Sequence, residues 1–235
     1  VRHIQLSSEH GDAVSLKTVY HDAETNGIAY TELFWDIRQI PENLIPMLGV
    51  LKSVLVNVNT EHYGYSQLNN EINANTGGIS CGVSEYDDPK NPDGYLAFFS
   101  IRCKSLYGKL DFAFRMIREI ITTSDFSDEK RIYEILASLK SQLQVAIQQT
   151  GHAVASTRAE AYYSSGAAFN YLVGGIAFYK YVKDLEEHYE EKKAGIREML
   201  SELLLQVFDP QKMMISYTSE KAGRPLLFEM AGSLT

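Results

Sequence analysis

The chain has 235 residues, 45% of them hydrophobic and 22% charged, with a formal net charge of −8. That length supports one substantial core or at most two small ones, and the balance is that of an ordinary globular protein. The acidic charge argues against nucleic acid and against an anionic membrane, both of which need clustered Lys and Arg, whereas a cationic peptide would be attracted. Two cysteines, Cys81 and Cys103, are too few for a disulfide framework and point to a reducing compartment. The longest weakly polar run, residues 166–179, is too short to cross a bilayer.

In chain order, residues 1–13 are polar and read as a lead-in or linker. Alternation over 14–20 and 28–37 predicts two strands, the second carrying Tyr30, Phe34 and Trp35. Leu44, Ile45, Met47, Leu48, Val50, Leu51, Val54, Leu55 and Val58 then cover most of a helical circumference, which predicts a helix buried on nearly every side. Pro41 suits its start. Residues 66–75 predict a short helix with Ser66 as its cap, closed by Gly77 and Gly78. Residues 79–86 and 95–104 predict an antiparallel hairpin around the loop DDPKNPDG.

From Ser105, taken as a cap, the period turns helical: one stripe runs from Leu106 to Ile121 and a second from Ile132 to Ile147. Residues 151–181, rich in Ala, Gly, Ser and Tyr, predict closely packed short helices with a break at Gly174-Gly175. A long helix over 187–208 and a strand over 213–218 follow, and residues 220–235 read as the start of a linker. The expected fold is α+β, an antiparallel sheet with helices layered on one face, in a single domain over 14–219. Val1 is not a Met and Thr235 closes no helix, so the chain reads as a segment of something longer.

The buried helix, the turn Asn59-Thr60, Glu71-Ile72 and Thr76-Gly77-Gly78-Ile79, with Thr25-Asn26-Gly27-Ile28 and Tyr30 before them, resemble the pitrilysin/insulinase-type zinc metallopeptidases, most of all the presequence-protease branch. In that family the corresponding helix of the catalytic half carries H-x-x-E-H, where two His and a downstream Glu hold zinc and the motif's Glu activates water. Counted back from Thr60, those positions fall on Val50, Ser53 and Val54, or in a shifted register on Leu48, Leu51 and Lys52; neither set holds a metal. The resemblance therefore implies a non-catalytic domain of the C-terminal half, with no catalytic or metal residue and no cofactor of its own. It further implies zinc in a companion half of the same polypeptide, and peptide substrates enclosed in a chamber. The bacterial cytoplasm is the expected location, with the mitochondrial matrix or another organelle as the alternative. An inactive scaffold of the same fold and a stand-alone peptide-binding module are the competing readings.

Other chemistry-bearing residues have plainer accounts. His188, among Glu186, Glu187, Glu190 and Glu191, has the spacing to share a metal with Asp184 or Glu191 but lacks a second His, which favours a solvated face. Glu61-His62 reads as a turn feature, and His152, Arg158 and Glu160 as helix-surface groups. Cys81 reads as an inert strand thiol, set opposite Ser100 in the expected hairpin. Tyr162, Tyr163, Tyr171, Tyr179 and Tyr181 could line a peptide-binding wall, although half-buried helix positions explain them as well. Thr76-Gly77-Gly78 reads as a helix stop, and the strand over 79–86 as the place where an extended peptide could add, with no residue assigned to substrate.

Overall fold

Period-two patterning builds a six-stranded sheet from β1 (Arg2–Leu6), β2 (Leu16–Asp22), β3 (Ile28–Asp36), β4 (Ile79–Asp87), β5 (Tyr95–Leu106) and β6 (Met213–Ser219). The structure, a computed structural model, describes residues 2–6, 16–91 and 93–231. The spatial order is β1-β2-β6-β3-β5-β4. Every neighbouring pair is antiparallel except β2 and β6, which run parallel. On β3 the residues Ala29, Thr31, Leu33 and Trp35 are buried, while Tyr30 on the other face is exposed. Met213, Ile215 and Tyr217 continue the buried face on β6.

The helices are α1 (Ile45–Val54), α2 (Tyr65–Asn75), α3 (Leu110–Thr123), α4 (Glu129–Gln149), α5 (Gly151–Glu160), α6 (Ser165–Val173), α7 (Ile176–Glu187), α8 (Tyr189–Val207) and α9 (Arg224–Ala231). They cover the buried face of the sheet. Trp35 and Phe99 each meet Phe208, at the end of α8, edge-on at ring-centroid distances of 4.9 and 5.4 Å. The α+β class and the one-sided helical layer are as expected; the parallel β2–β6 pair is not. Its cause is β6, which returns late in the chain and inserts between β2 and β3.

Helix α1 touches β4, α4, α6, α7 and α8, and Met47, Leu48, Val50, Leu51 and Val54 are fully buried. It is shorter than its apolar run. The chain leaves the helix after Val54, and Leu55, Val56 and Val58 stay buried in extended or irregular backbone. Val56 has φ +71°, a costly conformation for a β-branched residue. Side chains take up the carbonyls freed there: Asn69 Nδ2 donates to Val56 O at 3.0 Å and Arg131 Nε to Asn57 O at 2.8 Å.

Two expectations about helix caps and one about strand register are corrected. Asn59, reaching from the preceding loop, caps α2 by accepting from Tyr65 N at 2.9 Å, so Ser66 does not. Ser105 is a buried residue of β5 rather than a cap, and α3 begins only at Leu110. In the hairpin Cys81 lies opposite Ile101 and Tyr86 opposite Leu96, one residue away from the expected register.

Within the stretches expected as lead-in and linker, Arg2–Leu6, Lys221–Gly223 and Arg224–Ala231 form regular structure. Arg2–Leu6 pairs with β2, while residues 7–15, including Val14 and Ser15 of the expected strand, lie outside the described residues. After β6, Tyr217 donates to Gly223 O at 2.9 Å and Glu220 N to the Tyr107 hydroxyl at 3.1 Å, and α9 packs on α3 with Leu227 buried.

Gly49 sets how closely α1 meets α6 and α7. A Cβ there would lie 2.6 Å from the Phe178 ring and 2.8 Å from the Val173 carbonyl oxygen. Gly49→Ala should therefore lower stability by about 1–3 kcal/mol despite the better helix propensity of Ala. A denaturant midpoint no lower than the parent's would show that α6 and α7 are free to move aside.

Candidate functional site

The helix that would carry a metal motif in the resembled family is α1. Val50 and Val54 are wholly enclosed in the core, and Ser53 turns its hydroxyl back to Gly49 O at 3.2 Å. In the alternative register Leu48 and Leu51 are also enclosed. Lys52 directs its ammonium to Val173 O at 3.4 Å, the carbonyl end of α6, and lies 5.9 Å from the Phe178 ring centre. Burial pushes the Lys52 pKa down. Aliphatic, hydroxyl and ammonium groups are not zinc ligands, so these residues do not fit the metal. Among the described residues no group of three His, Cys, Asp or Glu could hold one either.

Ser53 and Asn57 instead border a polar cleft of about 340 Å³ against Arg131, Glu134, Ser138 and Gln142 of α4. Arg131 stacks 4.0 Å over the Tyr65 ring, is bound to Asn57 O, and lies 3.4 Å from Glu134. Its guanidinium thus joins the turn after α1 to α2 and α4 in one network.

The remaining candidates divide as follows. His188 is the junction between α7 and α8, its Nδ1 3.2 Å from Asp184 Oδ1. Lys192 also pairs with Asp184 and holds that carboxyl below its ordinary range, so the cluster is an exposed ion pair network. His62 N donates to Glu119 Oε1 at 2.9 Å, and its ring Nδ1 lies 3.0 Å from Glu119 Oε2. Burial works against the charge on Glu119, but hydrogen bonds from His62, Thr60 and Thr123 outweigh it and lower the pKa.

Cys81 and Cys103 are free thiols whose pKa values burial pushes up to about 12. Cys103 lies opposite Ile79, so the two are displaced along neighbouring strands. Thr76 and Gly78 close α2 as expected, with Thr76 Oγ1 donating to Ile72 O at 2.7 Å and Gly78 at φ +108°. Strand β4 is the last in the sheet order, so its outer edge pairs with no described strand. His152 is exposed, and Ser156 donates to Glu160 at 2.8 Å. Of the tyrosines, Tyr162 and Tyr163 are 80% and 78% exposed, whereas Tyr171, Tyr179 and Tyr181 are half-buried. Arg158 Nη1 donates to the Tyr171 hydroxyl at 3.3 Å, a contact between α5 and α6 that spacing along the chain does not announce.

The fold is a mixed sheet with helices on one face, organised on a buried helix whose residues at the motif positions are aliphatic or hydroxyl-bearing. The family described as associated with peptidase M16, subfamily C, matches residues 2–185, and the chain belongs to it. It is 30% identical over 217 residues to Protein HypA of Clostridium perfringens, covering 92% of this chain and 22% of that protein. It is 25% identical over 215 residues to Presequence protease 1, chloroplastic/mitochondrial, of Arabidopsis thaliana, covering 92% and 20%. The chain therefore spans about a fifth of the length of these curated relatives. Its fold is similar to that of a peptidase M16 inactive domain from Pseudomonas fluorescens, with a TM-score of 0.59 at 13% identity over 99% of this chain and 51% of that one. A conserved protein from Enterococcus faecalis V583 is similar too, with a TM-score of 0.63 at 14% identity over 97% and 51%.

Glu119 ties the turn after α1 to α3, and its depressed pKa sets a pH dependence. The stabilisation is complete above the ordinary Glu value and is lost as pH falls through the lower folded value. Glu119→Gln should cost about 1–2 kcal/mol at pH 7, with parent and variant converging well below about pH 4. Equal denaturant midpoints at pH 7 would show that the contact contributes nothing.

Proposed function

We propose that this chain is a non-catalytic domain of a zinc-dependent endopeptidase, forming part of the wall of a chamber that encloses unfolded peptides. In this reading a companion half of the same polypeptide carries the H-x-x-E-H zinc site. The observation that supports it is α1, the helix that the resemblance matches to the motif helix: Val50 and Val54 are sealed in the core, and neither they nor Ser53 is a ligand type. Membership of the peptidase-associated family and the presequence proteases among the relatives support peptides as the substrate class. The net charge of −8 supports capture of cationic segments. Two free thiols support a reducing compartment, with the bacterial cytoplasm first and an organelle matrix second. No described helix is long and apolar enough to cross a membrane.

A wall contributes by geometry. Enclosing a peptide raises its effective concentration at the zinc half and excludes bulk water from the bond to be cut. The purified chain should contain no stoichiometric zinc and cleave no peptide. Co-expression with the zinc half should raise peptide hydrolysis roughly tenfold or more over the zinc half alone. Chelator-sensitive hydrolysis by this chain alone would overturn the assignment, and no gain on recombination would leave a purely structural scaffold.

A further inference from the structure

Helices α5 and α6 meet at a hairpin whose inner side is an open cleft of about 290 Å³, lined by Arg158, Ala161, Tyr162, Ala168, Tyr171 and Leu172. Its floor is apolar, and the two alanines leave room that larger side chains would fill. Its polar side chains are one guanidinium and two phenols. Arg158 Nη1 donates to the Tyr171 oxygen at 3.3 Å, and Tyr162 lines the same cleft. The Tyr171 oxygen accepts from the cation, so its own O–H stays available for an outside acceptor, and Tyr162 brings a second phenol to the cleft. Among the described residues no carboxylate pairs with Arg158, although the chain carries 30 Asp and Glu against 22 Lys and Arg. The result is a cation and two phenols beside an apolar recess, with no carboxylate among the lining residues.

The geometry points to this cleft as a binding site for the C-terminal residue of a peptide, its α-carboxylate on Arg158 and the tyrosine hydroxyls and its apolar side chain against Ala161, Ala168 and Leu172. A guanidinium presents parallel N–H groups that match a carboxylate, and phenols add donors at low conformational cost. The recess beside the charge selects a terminal carboxylate bearing an aliphatic side chain over a free inorganic anion. The choice of a peptide as occupant rests on the enclosure reading above. The cleft would then hold the trailing end of a substrate or a released product.

The test uses the 235-residue chain and a fluorescent N-capped tripeptide ending in Leu, as the free acid and as the C-terminal amide, read by anisotropy. The acid should bind roughly tenfold tighter than the amide, and Arg158→Gln should erase that preference. Tyr171→Phe should reduce it severalfold. Both positions are at least partly exposed, so circular dichroism and the thermal midpoint should stay at parental values. Equal binding of acid and amide, or an acid preference that survives Arg158→Gln, would overturn the site. So would acetate competing as strongly as the Leu acid, since the apolar recess would then play no part. An amidated peptide with a penultimate Glu that binds as tightly as the acid would overturn the assignment to a chain terminus. Binding to this chain requires no zinc half, so a negative result here leaves the recombination assay above to stand or fall on its own.

Discussion

The burial of α1 on all sides is the constraint on which the rest of the molecule depends. A helix that presents apolar groups around most of its circumference must be covered by several neighbours at once, and β4, α4, α6, α7 and α8 do so. Two details make the enclosure close. Gly49 lets the Phe178 ring and the end of α6 press against the α1 backbone, and Lys52 places its ammonium on the carbonyl terminus of α6. A hydrocarbon side chain at Lys52 would avoid the desolvation but leave that carbonyl without this donor.

That enclosure also explains why the helix stops before its apolar run does. Leu55, Val56 and Val58 remain in the core, but continuing the helix would carry the chain away from the turn where Asn59 caps α2 and bridges to Asp125. The backbone bends instead through Val56 at positive φ. The strain is held by side chains from two other helices, Asn69 and Arg131, which bind the exposed carbonyls. The same Arg131 borders the polar cleft beside Ser53, so one guanidinium both holds the turn and lines that cleft.

The sheet shows a second consequence of long-range packing. Asn26 and Gly27 both take positive φ in a tight turn, a geometry that ordinarily joins two adjacent hairpin strands. Yet β2 and β3 are separated by β6, whose backbone is paired on both sides. Ala23 N donates to Ser219 O at 3.2 Å and Thr25 N to Glu220 Oε1 at 3.1 Å, so the end of β6 is clasped by the very turn it divides. Residues 213–231 are thereby an integral part of the sheet and of the layer over α3.

What the sequence determined by itself is local and periodic. Strands β2 to β6, the buried character of α1, the amphipathic stripe of α3 and the break at Gly174-Gly175 follow from alternation, helical period and glycine, each of which acts over a few residues. The residue types at Val50, Ser53 and Val54 are read directly from the sequence, and side-chain chemistry is a property of residue type. Tertiary structure decided what depends on partners far along the chain. Arg2–Leu6 is a strand because β2 offers it an edge, β6 is parallel to β2 because it enters last, and Ser105 belongs to β5 because Ala29 of β3 lies opposite it. The meeting of Arg158 with Tyr171 likewise needed the α5–α6 hairpin to fold back on itself, because a guanidinium and a phenol thirteen positions apart are neighbours only when a turn brings two helices side by side.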